Sequence, residues 1–234
     1  MIGVACEGEV MDQLTFSQDV RPPIFQMTKL KTKRVVVTGF GPFRDFAENP
    51  SSILIDELEQ NGICGVTFEL HKITVAYDEV SKKVPELWET HNPDLVVHLG
   101  AHSVPHTIKF EQCAFSDGYC ADDVNGCTPE NNQTGVCVAP GTVLQSSIDC
   151  AELALYVNQE LGYDGVKYNK LICEKSEDPG RYLCGFSYFL SLNKDASKSL
   201  FVHVPPFDGE CSKENVAQAL RTAINHILQQ QDSC

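Results

Sequence analysis

Three short apolar runs constrain this chain more than any other feature: Val35 Val36 Val37 Thr38, then Leu95 Val96 Val97 His98 Leu99 Gly100, then Leu200 Phe201 Val202 His203 Val204. Each is continuous rather than alternating. A strand of that kind is covered on both faces, which is the condition of a parallel sheet packed between helices. The segments between them carry helical periodicity. Asn49 Pro50 Ser51 caps a helix that buries Ile53, Leu54, Ile55 and Leu58 and closes at Asn61 Gly62. Tyr77–His91 places Val80, Val84, Leu87 and Trp88 on one face, with Pro85 as a bend. Residues 148–161, 184–192 and 213–230 read as further helices, and residues 66–70, 107–111 and 170–173 as further strands, 107–111 partly exposed. Strands alternating with helices, without an internal repeat, predict an α/β fold: a three-layer α/β/α sandwich with a largely parallel central sheet. Residues 1–32 mix charges, Pro22 Pro23 and scattered apolar side chains, which predicts a poorly ordered N-terminal extension before a single α/β domain over 33–234. Residues 114–140 follow no period and read as a long irregular excursion, a feature that is uncommon unless functional or mobile.

Charge narrows the partners. Thirty-two acidic against eighteen basic residues give a formal net charge of -14, a field that repels phosphate backbones and anionic bilayers. Neither nucleic acid nor a membrane is expected as a partner. No apolar run approaches the roughly 18 residues of a bilayer span, and the first residues lack a signal-type apolar core, so a cytoplasmic address is expected. Eleven cysteines are many, and Cys113, Cys120, Cys127 and Cys137 crowd one polar loop. The count is odd and none of these spacings is Cys-x-x-Cys, which favours reduced thiols over a disulfide framework or a zinc site. No metal or other cofactor is expected.

The chemistry concentrates on the segment Ser176 Glu177 Asp178 Pro179 Gly180 Arg181 Tyr182 Leu183 Cys184, a strand exit, a turn and a helix start. Asp178 and Pro179 suit an N-cap and first turn, and Gly180 permits angles that other residues resist. A cysteine within a turn of a helix N-terminus sits where the dipole favours thiolate, the nucleophilic form. The bland alternative is one more packed cysteine. In open α/β sheets ligands bind beyond the carboxyl ends of strands, and Gly39 Phe40, Gly100 Ala101, the Ser176 turn and His203 all fall at or just past such ends. His203 could therefore meet Cys184, although a core histidine bonded to backbone fits the same pattern, and His98 is its rival. His102 and His106 have a metal-like spacing that Pro105 spoils. Glu111 follows Ile108 and Phe110 on an apolar strand, either as an exposed edge residue or as the group that orients an imidazole. Gly39 Phe40 Gly41 invites a nucleotide-binding reading, but Pro42 Phe43 intrude and no third glycine follows, so the two phenylalanines better suit a flat uncharged ring.

Taken in order, Thr38 Gly39 Phe40 Gly41 Pro42 Phe43, Asn49 Pro50 Ser51, Val96 Val97 His98 Leu99 Gly100, Glu111, Gly180 Arg181 Tyr182 Leu183 Cys184 and Phe201 Val202 His203 Val204 Pro205 Pro206 resemble the pyroglutamyl peptidases of type I, also called pyrrolidone-carboxylate peptidases. The resemblance runs from about Arg34 to the last helix. It implies a cysteine exopeptidase with Cys184 as nucleophile, His203 as general base and later acid, and Glu111 orienting His203. It further implies Phe40 and Phe43 gripping the pyrrolidone ring of small peptide substrates that begin with pyroglutamate. Two other readings compete: a catalytically weak or inactive homologue that binds lactam-ended peptides, and a nucleotide-binding flavodoxin-like domain.

Overall fold

In the computed structural model, which describes residues 32–43, 48–163 and 170–233, the continuous apolar runs form the middle of a six-stranded sheet. Its strands are β1 (Lys33–Phe40), β2 (Val66–Ile73), β3 (Leu95–Ala101), β4 (Thr107–Glu111), β7 (Ile172–Ser176) and β8 (Ser199–Val204), in the order β2-β1-β3-β8-β4-β7. Two short strands, β5 (Cys113–Phe115) and β6 (Val143–Gln145), pair separately. The helices are α1 (Pro50–Gln60), α2 (Tyr77–His91), α3 (Cys150–Leu161), α4 (Leu183–Lys194) and α5 (Lys213–Ser233).

Because side chains alternate along a strand, the apolar runs feed two cores at once. Val35, Val37, Val97, Leu99 and Val202 face one layer, where Leu54 and Leu58 of α1, Leu153 and Val157 of α3, and Leu220 and Ile224 of α5 cover them. Val36, Val96 and Phe201 face the other, against Val80, Val84 and Leu87 of α2 and Phe186 and Phe189 of α4. Each such side chain contributes about 1.5–3 kcal/mol on leaving water, so both faces must be covered for the sheet to be stable. The result is the α/β/α sandwich that the sequence predicts.

Every neighbouring pair in the large sheet is parallel except β4 against β8. That inversion changes two expectations. Glu111 pairs with Phe201 on one side and with Ser176 on the other, so β4 is an interior strand and Glu111 is fully buried rather than edge-exposed. It also turns β7 against β8, so the exit of β7 at Ser176 lies level with Phe201, two residues short of His203. The turn after β7 therefore does not share the carboxyl edge of β1, β3 and β8. Residues 177–182 carry the chain onward before α4 begins.

The irregular excursion is more ordered than the sequence suggests. The β5–β6 pair flanks it, and Asp117 bridges Gln133 within it. The reading of residues 1–32 falls, but for Thr32, outside the described residues. Among the described residues no helix is long and apolar enough to cross a membrane.

Candidate active site

The helix that carries Cys184 starts later than Asp178. Asp178 Oδ1 accepts from the Gly180 amide at 3.0 Å and from Arg181 Nη1 at 2.7 Å, closing a turn of its own. Gly180 has φ of +76°, which takes the chain out of any helix begun at Pro179. The N-cap is Tyr182, and Cys184 is the second helical residue. The first backbone bond into the helix is Phe186 N to Tyr182 O, so the amides of Leu183, Cys184 and Gly185 lack intrahelical partners. The thiol thus sits in the first turn, beside unpaired N–H groups.

Its sulfur packs against Gly100 of β3. A Cβ added there would lie 2.8 Å from Cys184 Sγ and 2.7 Å from Phe201 Cζ. The bare backbone of β3 is what admits the sulfur. Gly100 is also the register partner of His203 on β8, which brings the imidazole to the same place.

His203 is 8% exposed. Nδ1 lies 2.7 Å from Glu111 Oε1, a carboxylate that can only accept, so Nδ1 carries a proton and Nε2 is left for the sulfur. The Cys184 sulfur lies near enough to the ring to act on its charge. Burial pulls the pKa of His203 down, but the sulfur and the Glu111 carboxylate outweigh it and push it up to about 9. Glu111 is 0% exposed, and its Oε2 has no hydrogen-bond partner among the described residues. A buried carboxylate so placed depends on the cationic ring for compensation. Behind it, Tyr188 Oη donates to the Glu111 carbonyl at 2.8 Å and fixes the backbone.

Beside the sulfur is a cavity of about 120 Å³ lined by Phe40, Phe43, Asn49, Val75, Ala101, Tyr182, Leu183 and Cys184. Its phenylalanine turn is held from outside. Ser51 Oγ accepts from the Phe40 amide at 2.9 Å, and Asn49 Nδ2 donates to the Gly41 carbonyl at 3.1 Å while its Oδ1 caps α1. Phe43 meets Tyr182 with ring centroids 5.2 Å apart. Tyr182 Oη donates to the Asp122 carbonyl at 3.1 Å, which anchors that wall to the 114–140 segment. A larger cavity of about 550 Å³, between α2 and residues 123–135, contains none of Cys184, His203 and Glu111, so the smaller one is the cavity that serves the thiol.

The five residues singled out from the sequence thus fall in one region: Glu111 bonded to His203, Cys184 within electrostatic reach of that ring, and Phe40 and Phe43 in the adjoining cavity. The rival His98 is elsewhere in the hydrogen-bond scheme, its nitrogens on Thr38 Oγ1 at 2.7 Å and Ser191 Oγ at 2.6 Å, and burial pushes its pKa down to about 3. Tyr182, Leu183 and Val75 were not recognised as cavity walls. Closeness to Cys184 in sequence is a signal for Tyr182 and Leu183, and Val75 carries none.

The family model "Putative pyroglutamyl peptidase PgaPase_1" matches residues 19–208. Pyroglutamyl-peptidase 1 of Homo sapiens is 38% identical over 199 residues, covering 84% of this chain and 90% of the human one. The chain belongs to the pyroglutamyl peptidase family. The family member from Rattus norvegicus, also named pyroglutamyl-peptidase 1, matches at the same 38% identity and coverage. The fold has a solved counterpart in the pyrrolidone carboxyl peptidase from Thermococcus litoralis, with a TM-score of 0.72 at 19% identity over 86% of this chain and 96% of that one. As a member of this peptidase family the chain needs a nucleophile, a proton carrier and a ring-sized slot. The series Cys184, His203, Glu111 and the Phe40–Phe43 cavity are the candidates for those parts.

Proposed function

We propose that this protein removes an N-terminal pyroglutamyl residue from peptides as a cysteine exopeptidase whose catalytic residues are Cys184, His203 and Glu111. The observation that carries the reading is the juxtaposition of a dry Glu111–His203 pair, 2.7 Å apart, with a thiol in the first turn of α4 and an aromatic slot beside it. Such a slot suits a cyclised N-terminus. The lactam ring carries no ammonium, so its recognition needs apolar walls and amide partners rather than a buried carboxylate.

In this account His203, oriented by Glu111, takes the proton of the Cys184 thiol. The thiolate attacks the carbonyl carbon of the pyroglutamyl residue, and the negative charge that develops on oxygen is met by unpaired amides of the α4 first turn. As the C–N bond breaks, His203 Nε2 gives its proton to the leaving amine, and the shortened peptide departs. Water then attacks the thioester, His203 takes the water's proton, and pyroglutamate leaves with regeneration of the thiolate and imidazolium. Glu111 touches neither substrate nor sulfur. It holds the ring and its charge in place. The substrates are small peptides, residues 33–234 form the one catalytic domain, and the reduced thiol the reaction requires agrees with a cytoplasmic address.

The direct test is hydrolysis of a pyroglutamyl fluorogenic amide, with Cys184→Ala as control. Turnover abolished by the substitution supports the reading. Turnover that survives it removes the proposed nucleophile. Tight binding of the amide without turnover by the wild type would instead favour a protein that only holds lactam-ended peptides.

A further inference from the structure

His203 is bracketed by two rings. On one side is Phe201, with ring centroids 4.8 Å apart. On the other is His102, with centroids 5.8 Å apart and planes at 64° in an edge arrangement. Phe201 is wholly buried core, but His102 stands one residue past β3, at the rim.

His102 is too well bonded to be a second base. Nε2 lies 2.8 Å from the carbonyl oxygen of Thr107, which can only accept, so Nε2 carries the proton. Nδ1 then accepts from the Val104 amide at 3.3 Å. Both nitrogens are occupied in one neutral tautomer, and a second proton would cost the Val104 bond. Burial, offset in part by the Thr107 carbonyl, pushes its pKa down to about 4. The backbone is fixed as well, since the His102 amide donates to the Val204 carbonyl at 3.1 Å, directly after His203 on β8.

We propose that His102 is a positioning residue for this reaction: a neutral ring, locked at the β3–β4 connection, that bars His203 from turning out toward solvent and away from Cys184. The inference rests on His203 being the proton carrier. Among the described residues, the ring contacts of His203 are Phe201 and His102, while Glu111 holds Nδ1 and Lys109 is drawn off to Glu174 at 3.7 Å. His102 is absent from the slot that receives the lactam ring, so its contribution belongs to the chemical step rather than to binding. The clamp needs a planar ring and two hydrogen bonds to hold that ring. The two requirements can be separated.

The experiment is steady-state hydrolysis of a pyroglutamyl fluorogenic amide by His102→Ala, His102→Phe and His102→Asn, with His203→Ala alongside and thermal melts of all four. His102→Ala is expected to lower kcat about tenfold, with KM within about twofold of wild type. His102→Phe, which keeps a ring over His203, should recover most of that loss. His102→Asn, which keeps an acceptor for the Val104 amide but no ring, should not. Unchanged kcat in His102→Ala overturns the proposal, as does a loss that appears in KM alone. If His102→Ala fails to fold, the other two decide. An active Phe variant beside a weak Asn variant supports the clamp, and the reverse order shows that only the Val104 bond mattered and overturns it. Activity that survives His203→Ala would remove the proton carrier itself, an outcome distinct from the failure of His102 alone.

Discussion

Glu111 Oε1 and His203 Nδ1 lie 2.7 Å apart across the one antiparallel pairing of the large sheet. The inversion of β4 is what makes the contact, because it brings a carboxylate into the interior alongside the strand that carries the imidazole. Replacing Glu111 with Gln keeps an acceptor for Nδ1–H and removes the charge. We expect kcat/KM to fall about a hundredfold or more, since oriented proton transfer contributes on the order of 10²–10⁴.

The same substitution has a signature in pH. The folded-state pKa of His203 is raised from 6.5 to about 9, so its charged interactions are fully present below 6.5 and fade as pH rises through about 9. Wild-type kcat/KM should therefore lose activity on an alkaline limb near 9, and native stability should decline over the same window. In Glu111→Gln one of the raising influences is gone, so the limb moves toward lower pH. A pH–rate profile of both proteins checks the direction.

Gly100→Ala tests the space made for the sulfur. The added methyl would stand 2.8 Å from Cys184 Sγ and 2.7 Å from Phe201 Cζ, both in a packed layer. Overpacking of this kind costs about 1–3 kcal/mol, and the displaced thiol should lose most of its turnover. Denaturant unfolding and the hydrolysis assay, run on the same preparation, should show both effects together.

Phe43→Ala opens the slot while leaving the chemistry in place. Phe43 contacts Tyr182 at the cavity wall, and its removal should raise KM about tenfold with a much smaller change in kcat. An equal fall in kcat would mean that the ring positions the scissile carbonyl as well.

A control lies in the buried network away from the site. Trp88 Nε1 donates to Ser191 Oγ at 2.9 Å, and Ser191 Oγ lies 2.6 Å from His98 Nε2. Ser191→Ala strands both groups and should cost about 1–3 kcal/mol of stability by urea titration, with kcat of the folded enzyme unchanged.

The strands β1, β3 and β8 were legible because a strand buried on both faces has no choice but to be continuously apolar. Helix α2 was legible from Tyr77 to His91 because its four-residue apolar stripe has clear ends. Direction was not legible. Nothing local in Thr107 Ile108 Lys109 Phe110 Glu111 says that the strand runs against β8, since that depends on pairing with residues some ninety positions away, as with Glu111 and His203. The N-cap of α4 was misplaced for a local reason: Asp178 has the composition of an N-cap but spends its carboxylate on Gly180 and Arg181, and the cap is Tyr182. Cys184, His203 and Glu111 could be proposed from the sequence because their residue types carry chemistry. Tyr182 and His102 were missed because a wall and a clamp are defined by what they face.

The account stands on an ionised Cys184 maintained by His203, and alkylation reads that state without a substrate. Iodoacetamide at about pH 6, followed by peptide mass spectrometry, should modify Cys184 ahead of the exposed Cys64, Cys120, Cys127 and Cys137, because an unactivated thiol is almost wholly protonated there. The preference should collapse in His203→Ala. Labelling of the exposed cysteines before Cys184, or a Cys184 rate indifferent to the loss of His203, would contradict it.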